Sequence, residues 1–156
     1  MSATADVSAA WQAYQRMRLQ LNGRISRELY RSTGLSEADF DILFLLEESP
    51  GGTARSIALR CGLEWEKSRL SHQLRRMQGR GLITKTADAV VELTDKGREQ
   101  IAAARACHGA AVRRYFGDVL TDDQLAALTA ISDQVVARLT DDSARDNAHA
   151  RPRAEA

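Results

Sequence analysis

Apolar residues recur at helical spacing along most of the chain. From about Ser8 to Arg31, Trp11, Tyr14, Leu21, Ile25 and Leu29 fall on one face of a long amphipathic helix. Gly34 follows as a C-cap that tolerates the left-handed conformation. Ser36 then offers an N-cap hydroxyl with Asp39 three residues on, and Phe40, Leu43, Phe44 and Leu46 form the inward stripe of a second helix. Ser49–Gly52 ("SPGG") breaks the pattern. Thr53 reads as the cap of a short helix, "TARSIALRC", with Ile57 and Leu59 inward and Gly62 as its stop. A further helix spans Trp65–Arg80 and ends at "QGRG". "LITK" and "VVEL" read as two short strands joined by the tight loop Thr86–Ala89. Thr94 caps a long Ala-rich helix reaching about Phe116, and Thr121 with Gln124 makes a capping box for a last helix ending near Leu139. Beyond it the apolar period is lost, and residues 141–156 are expected to form a disordered tail.

A short helix, a tight Gly-containing turn and a second helix make a helix-turn-helix, and the hairpin behind it supplies a wing. The expected fold is therefore mainly α with a small two-stranded β wing. A winged helix-turn-helix over residues 35–97 is flanked by an N-terminal helix (1–34) and C-terminal helices (98–140). The apolar stripes on the first and last helices exceed what one winged helix covers, so these helices are expected to dimerise.

Composition narrows the class. A 44% hydrophobic and 28% charged chain of 156 residues is ordinary for one globular domain. It has no apolar run long enough for a membrane span and no signal-peptide pattern, and its two cysteines suit a reducing cytoplasm. The net charge of +1 hides an asymmetry, since residues 55–85 carry +6 and the remainder −5. Between Lys67 and Lys85 stand six Lys or Arg and no Asp or Glu. A basic module on an acidic scaffold is the footprint of a nucleic-acid binder.

On a helical wheel of Trp65–Arg80, Leu70, Leu74 and Met77 form the buried seam. Trp65, Ser68, His72, Arg75 and Arg76 lie opposite, with Arg69 on the flank, and that face bears no carboxylate. An α-helix fits the DNA major groove, where its early turns reach base edges. Trp65, Ser68, Arg69 and His72 are thus base-edge candidates. Arg75 and Arg76 are better placed for phosphate, and Lys67 and Lys85 add charge on either side.

The runs "SRLSHQLRRMQGRGLI" and "VELTDKGREQI", in this order of elements, resemble the MarR family of winged-helix transcriptional regulators over roughly Trp11 to Leu139. "LTDKG" is similar to the family's Leu-Thr-x-x-Gly between the second wing strand and the next helix. The resemblance implies a homodimer on a pseudo-palindromic operator in double-stranded DNA, commonly a repressor released by a small-molecule effector or an oxidant. It also implies a longer wing bearing an Asp-x-Arg element whose Arg enters the minor groove. Here the loop is "TADA", and its only charge is Asp88.

Other residues admit more than one reading. Trp11, Tyr14, Met17, Phe40 and Phe44 could line an effector pocket, although such stripes are more often core or interface. Arg16, Arg18, Arg24, Arg27 and Arg31 read as a solvated face. Cys61 and Cys107 read as small buried hydrophobes rather than sensor thiols. His72 and His108 lack the companions of a metal site, and no cofactor fingerprint or catalytic constellation is present. No enzyme is therefore expected. The competing expectations are a winged-helix module that binds protein, with weak DNA affinity, and a thiol-based redox regulator.

Overall fold

The computed structural model describes residues 6–149. Helix α1 (Val7–Thr33) starts on Asp6, whose carboxylate accepts from the Ser8 and Ala9 amides, and stops at Gly34, left-handed at φ 72°. A side chain there would crowd its own carbonyl, which glycine avoids. Helix α2 (Glu37–Glu48) opens on a complete capping box: Ser36 Oγ accepts from the Asp39 amide, and the Asp39 carboxylate accepts from the Ser36 amide. A 3-10 turn (Pro50–Gly52) leads into β1 (Thr53–Arg55), α3 (Ser56–Leu63), α4 (Lys67–Gly79), β2 (Ile83–Lys85), β3 (Val90–Leu93), α5 (Asp95–Tyr115) and α6 (Asp122–His149). The chain divides after Arg113 into two compact units.

In the first unit one apolar core joins Leu29 of α1, Ile42, Leu43 and Leu46 of α2, Leu59 of α3, Leu70, Leu74 and Met77 of α4, Val91 of β3 and Ile101 of α5. Each such side chain contributes about 1.5–3 kcal/mol by leaving water. The start of α5 is fixed to the wing base by the "LTDKG" run. Thr94 Oγ1 donates to the Gly81 carbonyl and accepts from the Gly97 amide. At Gly97 the helix lies so close to the residue that leads into β2 that a Cβ would stand 2.1 Å from the Leu82 carbonyl oxygen. Only glycine fits.

Three boundaries differ from the sequence-based expectation. The sheet has three strands rather than two, in the order β1-β3-β2, because Thr53–Arg55 pairs antiparallel with β3 (Thr53 opposite Glu92, Arg55 opposite Val90). Thr53 therefore belongs to a strand instead of capping α3. The helix begins at Ser56, which leaves Ile57 59% exposed while Leu59 is buried. Gly62 lies within α3, and Glu64 ends it in the left-handed conformation at φ 53°. Finally, α4 starts at Lys67, so Trp65 and Glu66 precede the helix.

In the second unit, Thr121 and Gln124 form the expected capping box for α6. That helix continues to His149. The tail expected from residue 141 is thus helical as far as 149, and residues 150–156 lie outside the described residues. Ile131, Val135 and Leu139 form an exposed apolar stripe along α6. Among the described residues no helix is long and apolar enough to cross a membrane.

Candidate nucleic-acid interface

Helix α4 buries Leu70, Leu74 and Met77 and turns Lys67, Ser68, Arg69, His72, Arg75 and Arg76 to solvent. These six bring four Lys or Arg cations together with the Ser68 hydroxyl and the His72 imidazole on a helix surface without a carboxylate of its own. Trp65, expected on that face, is half-buried and packs against the core. Its ring supports the Arg69 guanidinium, whose carbon lies 4.0 Å from the ring centroid. A cation–π contact at such a site is worth about 0.5–1 kcal/mol, and it restricts where Arg69 can swing. Trp65 therefore serves as a platform, and the exposed tip is Arg69.

Beneath the face lies a polar network whose partners are 34 and 41 residues apart in the chain. Asp39 and Gln73 are 2% and 3% exposed. Gln73 Nε2 donates to Asp39 Oδ1 at 2.7 Å, and Arg80 Nη1 donates to Asp39 Oδ2 at 2.6 Å. Arg80 also donates to the Gly34 carbonyl at 3.0 Å. Arg76 Nη2 donates to Gln73 Oε1. Arg80 is thus committed to holding α4 against α2, which removes it from the cations offered outward. Gln73 sat at the edge of the buried seam on the wheel, and that position was the available signal.

The wing is short and closed. Thr86 N donates to Val90 O at 2.9 Å, and Ala89 N to Thr86 O at 3.1 Å. The Ala89 carbonyl accepts from both the amide and the hydroxyl of Ser56, tying the tip to the start of α3. Lys85 ends β2 opposite Val91, and Arg55 ends β1 opposite Val90. Each outer strand therefore places an exposed cation near the tip, with Asp88 between them at the loop. Arg55 carries the sequence pattern of a short helix, and only pairing with β3 makes its segment a strand that brings it to the wing.

The effector-pocket candidates meet in pairs, with the Trp11 and Tyr14 ring centroids 5.6 Å apart and those of Phe40 and Phe44 6.0 Å apart. Trp11, Tyr14 and Met17 are exposed on the first half of α1, and Phe44 stacks on Phe40 with the Arg105 guanidinium above it. A different cavity, of about 60 Å³, lies among Asn22, Ser26, Glu37, Phe40, Asp41 and His108. His108 stacks on Phe40 with ring centroids 4.6 Å apart. Burial lowers the His108 pKa, and Glu37 opposes that shift. The Asp41 carboxyl is pushed up to about 6, first by burial and then by Glu37, against the attraction of Arg69. Cys61 is exposed on α3 rather than buried, because that face of α3 is turned outward. Cys107 is half-buried, with its Sγ 3.8 Å from the Glu28 carbonyl oxygen. Among the described residues no three His, Cys, Asp or Glu side chains are grouped to hold a metal.

Fold and face together define a winged helix-turn-helix protein with an outward basic helix. Solved structures with this fold are numerous. AbsC of Streptomyces coelicolor, a MarR family transcriptional regulator, is 28% identical and superposes with a TM-score of 0.79 over 90% of this chain and 98% of its own. Sco3205 of the same organism, a MarR family regulator solved in complex with DNA, is 28% identical, with a TM-score of 0.79 over 88% and 93%. CouR, a transcriptional repressor bound to p-coumaroyl-CoA, is 22% identical, with a TM-score of 0.74 over 87% and 98%. No protein-family model and no curated protein sequence matches the chain. The chain shares its winged helix-turn-helix fold with these MarR family transcriptional regulators.

Proposed function

We propose that the chain is a homodimeric transcriptional regulator, a repressor, that binds a pseudo-palindromic operator in double-stranded DNA. The observation that carries this reading is the carboxylate-free face of α4, with Ser68, Arg69 and His72 on its early turns and Arg75 and Arg76 behind them. Early-turn donors suit base edges in the major groove, and the later cations suit phosphate. Lys67 adds charge where α4 begins, and Lys85 and Arg55 would hold phosphate beside the wing. The DNA complex of Sco3205 supports the same use of this fold. The exposed apolar positions Trp11, Tyr14 and Met17 on α1, and Ile131, Val135 and Leu139 on α6, support a second copy as their cover. The α1–α2–α5 cavity is where an effector would enter, and an aromatic ligand would have to widen it.

The test is a binding series over salt with oligonucleotides selected from a random pool. Specific operator binding should weaken steeply as salt rises, and sedimentation should give twice the 17.2 kDa chain mass. A second reading, a protein-binding winged helix, is favoured by the short wing and its acidic tip. No selected sequence, a flat salt response and a monomer would establish it over the first.

A further inference from the structure

We propose that Asp39, buried on α2, is the positioning residue that aims Arg76 at DNA, acting through the side-chain amide of Gln73. The inference rests on the reading above that Arg76 meets phosphate.

An ionised carboxylate only accepts hydrogen bonds, a guanidinium only donates, and a glutamine amide does one at each end. Gln73 lies between the other two. Its Nε2 is committed to Asp39 Oδ1 at 2.7 Å, so its Oε1 must face Arg76, whose Nη2 donates to it. The reversed amide would set oxygen against carboxylate and NH2 against guanidinium, in a site where Asp39 and Gln73 are almost dry. Such unmade buried bonds cost far more than exposed ones. The charge on Asp39 thus fixes the polarity of the amide, and the amide fixes the direction of Arg76.

Asp39 does not need this bond for its other work. Its Oδ2 caps the Ser36 amide at 2.9 Å and pairs with Arg80 at 2.6 Å. Arg75, one residue earlier on the same face, has no such tether among the described residues. A held guanidinium loses less side-chain freedom when it meets an anion. The chain of bonds also crosses between functions. Asp39 shares α2 with Glu37, Phe40 and Asp41 of the cavity wall.

The test is a double-mutant cycle on DNA affinity with Arg76→Ala and Asp39→Asn. In the parent, Arg76→Ala should weaken binding about fivefold and lower the salt slope by about one. In the Asp39→Asn background the amide can invert, and Arg76→Ala should then cost less than about twofold. An equal loss in both backgrounds would overturn the relay and leave Asp39 a purely structural anchor. Should Asp39→Asn fail to fold, Gln73→Met serves, because Arg80 and the Ser36 amide still hold Asp39. The same collapse of the Arg76 effect is expected there. If Arg76→Ala changes nothing in the parent, the phosphate contact is wrong and the proposal falls with it. The guanidinium resonances of Arg76 in the free protein separate the two failures. They should be distinct in the parent and averaged in either variant, and resonances that stay the same would refute the relay itself.

Discussion

Replacing Asp41 by Asn should stabilise the protein at neutral pH. Burial and Glu37 raise this carboxyl from 3.8 to about 6, against the pull of Arg69. For a dry group that difference would correspond to about 3 kcal/mol at pH 7. Asp41 is only half-buried, and water screens it, so about 1 kcal/mol is the expected size. The direction follows from proton counts. Between about pH 4 and 6 the folded chain holds a proton on Asp41 that the unfolded chain has released, so stability falls as pH rises through that window. Above it the ionised carboxylate is a standing cost, which an amide of the same shape removes. Urea unfolding of parent and Asp41→Asn at pH 7.5, 6, 5 and 4 should show the variant ahead by about 1 kcal/mol at the top of the range, the gap closing by pH 4. A variant that is weaker at pH 7.5, or a gap independent of pH, would refute the reasoning.

Gly97→Ala should cost about 1–3 kcal/mol in chemical unfolding, because the added methyl meets the Leu82 carbonyl oxygen, a backbone atom that cannot swing aside; an unchanged midpoint would show that α5 shifts freely. Arg69→Ala or His72→Ala should lower operator affinity and base discrimination by about 1–3 kcal/mol per lost contact, read by titration against operator and random DNA. Lys85→Ala should weaken all sequences about equally and reduce the salt slope by about one, whereas Asp88→Ala should leave affinity unchanged or slightly higher. Strong minor-groove protection that depends on Thr86–Ala89 in a footprint would contradict this account of the wing.

Local chemistry made much of the fold readable from the chain. Gly34, the Ser36–Asp39 box, Thr94 and the Thr121–Gln124 box act within a few residues of themselves, and each sits at the helix end that its side chain implies. The failures involve distant partners. Thr53–Arg55 is too short and polar to announce a strand, and β3 alone makes it one. Trp65 has helical spacing to the basic face, yet the core draws it inward ahead of the first turn of α4. For the candidate site, the exposed set from Ser68 to Arg76 follows from periodicity. Arg80 looked like another outward cation only because its partner, Asp39, is 41 residues away. The cavity escaped for the same reason, since α1, α2 and α5 each bring one or a few of its groups.

The closed wing tip has a thermodynamic consequence. A long flexible wing must be ordered when it enters a groove, at about 1–2 kcal/mol of backbone entropy per residue fixed. Here Thr86–Ala89 is already fastened to itself and, through Ser56, to α3 before any duplex arrives. Little disorder remains to be lost. Complex formation by this chain should therefore show a smaller entropic penalty and a less negative heat-capacity change than coupled folding produces, with the calorimetric signal dominated by ion release and groove hydration.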